Sequence, residues 1–183
     1  MSLRNSTTSW GLVARLLHWL FLVLIIGAWL AIEVHEDFPK GSPERAQWMR
    51  VHFSIGITIF VLIWVRLGWR LSGTSPDPVP GPRWQQQAAS LVHLALYGVL
   101  IAMPVAGLLT MQFSNRVVAW FGMVDIPVVL GPNKAAAELM EEIHTDVLWP
   151  LLLTLVAVHA AAALWHHFRL KDDTLRRMTF PRD

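Results

Sequence analysis

Two histidines, His144 and His159, bracket the apolar run that includes Val147-Leu148-Trp149-Pro150-Leu151-Leu152-Leu153. A run of this length reads as a membrane-spanning helix. Ionisable side chains are costly there, so each is a functional hypothesis by default. They lie 15 residues apart, about 22 Å along a helix axis at 1.5 Å per residue. On an ideal helix they sit roughly 60° apart around the axis, an offset that a kink or bulge at Pro150 would change. One helix thus offers a neutral imidazole at each of two depths. That pattern suits two stacked cofactors, each needing a second ligand from another part of the chain.

The chain that must supply them has 183 residues, of which 54% are hydrophobic and 15% charged, with a mean hydropathy of +0.44. A soluble domain carries nearer a quarter charged residues, so this composition indicates a membrane protein. Several of the ten tryptophans stand where apolar runs end, as in an interfacial belt. Cysteine is absent, which excludes thiolate-held iron–sulfur clusters, disulfides, cysteine–zinc sites and the covalent attachment of haem.

The expected architecture is an all-α membrane protein, a four-transmembrane-helix bundle, occupying residues 1–183 as one domain. The spans are expected at about 12–34, 48–69, 87–111 and 138–168. Residues 1–11 lack a signal-peptide cleavage pattern, so the first apolar run is expected to stay in the mature protein. The polar stretch 33–47 is a loop, where His35 reads as a solvated histidine. A proline-rich linker at 72–82 joins spans two and three. The stretch 113–134 is too broken by Gly122, Pro127, Gly131 and Pro132 to span, although Val117, Trp120 and Phe121 suit the interface.

Basic residues set the orientation. The side holding both termini and the 72–82 linker carries ten Lys and Arg, Arg182 among them, against five on the other side. The termini are therefore expected in the cytoplasm. Depth then pairs the histidines. His18, six residues into the first span, matches His159, and His52, near the start of the second, matches His144. Zinc wants four ligands, and two imidazoles make a poor site for it. Haem needs only two, because the porphyrin supplies four nitrogens. Two histidine pairs at two depths therefore read as two b-type haems. Arg15, one turn before His18, and His93, early in the third span, read as hydrogen-bonding groups beside the ligands. Ser54, Gly56 and Thr58 allow close helix approach or leave room for a flat ligand.

Several segments resemble the bacterial cytochrome b561 family: Arg15-Leu16-Leu17-His18-Trp19, His52, Ala102-Met103-Pro104-Val105-Ala106-Gly107, and above all His159-Ala160-Ala161-Ala162-Ala163-Leu164-Trp165-His166-His167 followed by Lys171-Asp172-Asp173-Thr174-Leu175-Arg176-Arg177-Met178. The resemblance implies a di-haem protein of the bacterial inner membrane, with haem-iron ligands at His18, His52, His144 and His159. In that family the two histidines of the fourth helix usually stand one residue closer together. Pro150 is therefore expected to mark a bulge that restores their phase.

Saturated axial positions favour electron transfer over oxygen binding, and the apolar, mobile electron exchanger of a bilayer is a quinone. Family members that resemble superoxide oxidase imply superoxide as donor and ubiquinone or another quinone as acceptor. His166 and the basic inner rim are candidates for the quinone headgroup, with interfacial snorkelling as the alternative for His166 and His167. Against superoxide stands an outer side with nine acids and five bases, a net of −4, on which Arg45, Arg50 and Lys134 could still form a local positive funnel. The alternatives are a non-catalytic subunit relaying electrons from a periplasmic partner and, from another class, a metal or proton transporter. The expected partners are lipid, quinone and superoxide or a periplasmic donor, with no nucleic acid.

Overall fold

The computed structural model describes residues 2–179, so Arg182, counted in the charge balance above, lies outside the described residues. Four long helices dominate: α1 (Leu12–Glu36), α2 (Pro43–Leu71), α3 (Arg83–Phe113) and α4 (Lys134–Leu170). Each contains an 18-residue stretch with mean hydropathy between 1.8 and 2.1 and is long enough to cross a membrane. They overrun the expected spans by up to five residues per end because polar turns continue the helices beyond the apolar stretch. A short helix α5 (Arg176–Thr179) follows.

Helix starts are chemically marked. The Ser42 side chain accepts from the Arg45 amide ahead of Pro43, and the Asn133 side chain accepts from the Ala136 amide ahead of α4. Each satisfies an amide that the helix itself leaves unpaired. At the far end of α4 the chain breaks at Lys171, which takes the left-handed conformation with φ 55°.

The apolar residues are distributed for hydrocarbon rather than water. Leu20, Val23, Ile26 and Leu30 of α1, Val61, Trp64 and Val65 of α2, and Leu151, Leu153 and Val158 of α4 are all exposed. Such a continuous apolar exterior on helices of this length is the surface a lipid solvent requires. Inside, Phe21, Ile59 and Ile63 are buried at the α1–α2 seam, with Leu24, Tyr97 and Ile101 packed against them.

One end of the bundle carries residues 12, 71, 83 and 170 and is called the terminal end. The opposite end is closed by a small antiparallel hairpin, β1 (Val118–Trp120) and β2 (Val124–Ile126). Its turn uses Phe121 (φ 49°) and Gly122 (φ 69°). The hairpin is pinned to the helices. The Trp120 indole donates to Thr58 Oγ1 (3.1 Å) and the Phe121 amide to Ser54 Oγ (2.9 Å). The buried Gln112 of α3 donates to the Pro127 carbonyl (2.9 Å) and accepts from the Val129 amide (2.8 Å).

One expectation is refined here and another overturned. Trp120 is half-buried and its indole N–H is engaged within the protein. The half-buried Thr58 hydroxyl takes its N–H, while Val117 and Phe121 are exposed. His35 is not a solvated loop histidine. It sits in the last turn of α1, 8% exposed, with Nδ1 2.8 Å from the Arg45 carbonyl. Helix α1 runs two residues past its apolar stretch and carries His35 under the start of α2.

Candidate functional site

The bundle axis holds two groups of histidines. Towards the hairpin end, His52 of α2 faces His144 of α4, with ring centroids 6.0 Å apart. Towards the terminal end, His18 of α1 faces His159 of α4 at 5.9 Å. Two imidazoles bonded to opposite sides of one metal ion, each through a bond of about 2 Å, place their ring centroids roughly 6 Å apart. Both pairs fit that donor arrangement. Among the described residues, no three His, Cys, Asp or Glu side chains converge as metal ligands, so the pairs suit a metal whose other ligands arrive with it.

The hairpin-end pair is oriented by backbone. His52 Nδ1 lies 3.0 Å from the Ala28 carbonyl of α1, and His144 Nδ1 lies 2.8 Å from the Met103 carbonyl of α3. A carbonyl can only accept, so each Nδ1 carries the proton and each Nε2 keeps its lone pair. That is the tautomer a metal-binding histidine needs. Between them lies an apolar cavity of about 310 Å³, reached by Ile25, Ala28, Gly56 and Pro104 as well as both histidines. Two glycines shape it differently. A Cβ on Gly56 would meet nothing within 4 Å, whereas one on Gly107 would lie 3.2 Å from the His144 ring. Gly107 is what lets α3 come up against that imidazole.

The fourth helix reaches both depths through a local irregularity. Residues Ile143–Leu148 form a π-helical turn, with the Trp149 amide bonded to the His144 carbonyl, before α-helix resumes at Trp149–Trp165. Pro150 has no N–H for the Asp146 carbonyl and its ring crowds that turn, so the wider turn relieves both conflicts. The turn absorbs one residue. The 15-residue interval then behaves as about fourteen, two heptads, which keeps His144 and His159 on one inward seam.

The terminal-end pair is set differently. His93 of α3 joins it, its ring centroid 5.2 Å from that of His159. Arg66 of α2 reaches in, with Nη2 3.4 Å from His18 Nδ1 and Nε donating to the Tyr97 hydroxyl at 3.1 Å. Its guanidinium stands 5.8 Å from the centroid of the Phe21 ring. Arg66 was not singled out by pattern. The available signal was an arginine three residues inside the expected end of the second apolar span, near the depth of His18. Arg15, by contrast, is buried and donates to the Thr179 carbonyl (3.2 Å), and the neighbouring Trp19 indole donates to the Met178 carbonyl (3.0 Å). Both bonds tie α5 to α1.

His166 lies about two turns beyond His159, in a second π-helical turn (His166–Leu170). Its Nδ1 is 2.5 Å from Asp172 Oδ2, while the Thr174 amide donates to Asp172 Oδ1 at 2.9 Å. Burial by itself would raise the Asp172 pKa. The hydrogen bonds from Thr174 and His166 outweigh it and hold the carboxyl below its ordinary value.

Known proteins match most of this chain's length. The family model described as prokaryotic cytochrome b561 matches residues 9–181. The chain belongs to the prokaryotic cytochrome b561 family. Among its relatives is cytochrome b561 homolog 1 of Escherichia coli K12, 37% identical over 164 residues, covering 88% of this chain and 92% of that one. Cytochrome b561 homolog 2 of the same organism is 30% identical over 185 residues, covering 97% and 95%. A probable superoxide oxidase CybB of Yersinia pestis is 34% identical over 164 residues, covering 88% and 90%. The chain is thus a bacterial multi-pass membrane protein of electron transfer, and its family implies b-type haem.

Proposed function

We propose that the chain acts as one domain that holds two b-type haems, one between His18 and His159 and one between His52 and His144. In this reading it oxidises superoxide on the periplasmic side and reduces a quinone in the bilayer. The observation that supports it best is a facing imidazole pair at each of two depths, both with centroid separations suited to one metal. A haem held by each pair would supply reversible one-electron exchange, and two histidine ligands to one iron favour electron transfer over oxygen binding.

The chain's own residues do the rest. The Ala28 and Met103 carbonyls hold His52 and His144 in the ligating tautomer, and the hairpin closes that end of the bundle. His166, with Nδ1 tied to Asp172, keeps Nε2 for a quinone oxygen at the terminal end. Two superoxide ions each give up one electron and leave as dioxygen. One quinone takes both electrons with two protons and leaves as quinol. The donor assignment leans on the relative whose name is probable superoxide oxidase. Purified protein, supplied with superoxide and a quinone and no other protein, is expected to form quinol. Quinol formation only after a periplasmic protein is added would identify a docked donor and sink the superoxide reading.

In this reading, the pairing of the basic residues decides which of them is available to draw superoxide in. Arg45 is spoken for, with Nη2 2.8 Å from Glu36 and Nη1 donating to the Phe38 carbonyl. Lys134 lies 3.5 Å from Glu138. Arg50, two residues before His52, is exposed and makes no ion pair among the described residues. Arg50→Glu is therefore expected to slow superoxide-driven quinone reduction by about 3- to 10-fold at low salt, with the deficit shrinking as salt rises. Arg45→Glu and Lys134→Glu should do less. Equal rates for Arg50→Glu and the parent protein would place the entry point elsewhere.

Orientation follows from the ten-to-five excess of basic residues at the terminal end. Reporter fusions after Arg83 and Asp183 are expected to report cytoplasm, and fusions after Gly131 periplasm. A periplasmic C-terminus would invert the assignment of both histidine pairs.

A further inference from the structure

A guanidinium inside a membrane span needs an anion, and Arg66 has none among the described residues. Its Nη1 is buried with no hydrogen-bond partner. The titratable groups facing it are His18 from α1, His93 from α3 and His159 from α4, with Arg70 of its own helix against the same Tyr97 ring. Among the described residues the cluster holds two cations, three imidazoles and no carboxylate. Arg66 is half-buried with its Nη1 enclosed, and a cation held there without a counter-charge is costly, so an anion is expected from whatever the cluster binds.

We propose that Arg66 is the receptor for a carboxylate of the haem held by His18 and His159. This rests on reading that pair as haem ligands. The guanidinium is already aimed and braced. Nε is fixed to the Tyr97 hydroxyl, and the Phe21 and Tyr97 rings flank the plane. Nη1 is unclaimed. Nη2 makes only a long 3.4 Å contact to His18 Nδ1, a nitrogen that takes up the imidazole proton when Nε2 binds a metal and then can no longer accept. Both Nη groups are then free, side by side, for the two oxygens of one carboxylate, the fork that suits arginine better than lysine. Among the described residues the hairpin-end pair contacts no such cation and is oriented by carbonyls instead. Arg66 therefore gives the two haems unequal electrostatic surroundings, with the positive charge beside the one at the terminal end.

The test uses the purified holoprotein after its haem-to-protein ratio is shown to be two. Arg66→Gln is expected to shift the resonance Raman propionate mode of one haem, the one that His159→Ala removes. It should also lower that haem's reduction equilibrium at least tenfold, about 59 mV for one electron. Arg66→Lys should recover much of the potential and little of the propionate mode, because an ammonium offers charge without a fork. If Arg66→Gln does not fold, Tyr97→Phe, which frees the Nε anchor, should move the same mode in the same direction by less. An unmoved mode and potential would overturn the proposal. So would effects that vanish once quinone has been extracted, which would assign Nη1 to a quinone oxygen. Retention of both haems by His18→Ala is a separate outcome that overturns the ligand reading and leaves the Raman comparison to judge Arg66.

Discussion

Replacing His52 or His144 by alanine is expected to remove the same haem and leave the other spectrally intact, halving the haem-to-protein ratio in both variants. His18→Ala and His159→Ala should define the second haem in the same way. The premise is steric. One metal cannot bridge ligands at the two ends of a span, and the facing pairs are His52 with His144 and His18 with His159, at 6.0 and 5.9 Å between ring centroids. His93→Ala is the discriminating control, because its ring is 5.2 Å from His159 and thus nearer than that of His18 at 5.9 Å. It is expected to keep both haems with a shifted potential, since groups beside a ligand tune the metal rather than hold it. Reduced-minus-oxidised spectra and haem quantification decide the matter. Loss of a haem in His93→Ala together with two haems in His18→Ala would move the terminal-end ligand from α1 to α3.

Gly107→Val should be nearly as damaging to the hairpin-end haem as losing His144 itself. A Cβ at position 107 would already stand 3.2 Å from two atoms of the His144 ring, inside the 3.5–4.0 Å at which carbon contacts are comfortable. Valine adds two methyl groups beyond that. Overpacking of this kind costs about 1–3 kcal/mol, and here the strain falls on the Met103 carbonyl contact that orients the ring. Gly107→Ala should give an intermediate loss of hairpin-end haem. Gly98→Val, on the same helix where a Cβ meets nothing within 4 Å, should leave the haem content at two. Equal haem content in Gly107→Val and Gly98→Val would show that α3 yields at this point and that the close approach is not needed.

What distinguishes the two sites is the origin of their order. At the hairpin end, carbonyls of α1 and α3 dictate which nitrogen of each imidazole is protonated. At the terminal end, order comes from side chains: a guanidinium, a phenol and a third imidazole. A carbonyl dipole is fixed by its helix, whereas Arg66 carries a full charge. The second arrangement is the one able to separate the electrochemistry of two otherwise similar sites.

Much of this was legible in the chain alone. Lipid as solvent follows from apolar runs longer than a core helix requires, and alternation of direction then makes depth a simple count of residues. That count was enough to put His18 level with His159 and His52 level with His144. Pro150 announced an irregularity because proline lacks the N–H a regular turn needs. Other features depended on contacts between segments far apart in sequence. The Trp120 indole found Thr58, and His35 was drawn under α2. The small residues of α2 separated into two roles: Ser54 and Thr58 hold the hairpin, while Gly56 borders the cavity. No periodicity could report that Arg66 lies among three imidazoles, because its neighbours come from all four helices. Depth along a helix is a one-dimensional property that a sequence encodes directly. Which side chain meets which across the bundle depends on helix rotation, packing and a π-turn's extra residue, and only the folded structure settles those.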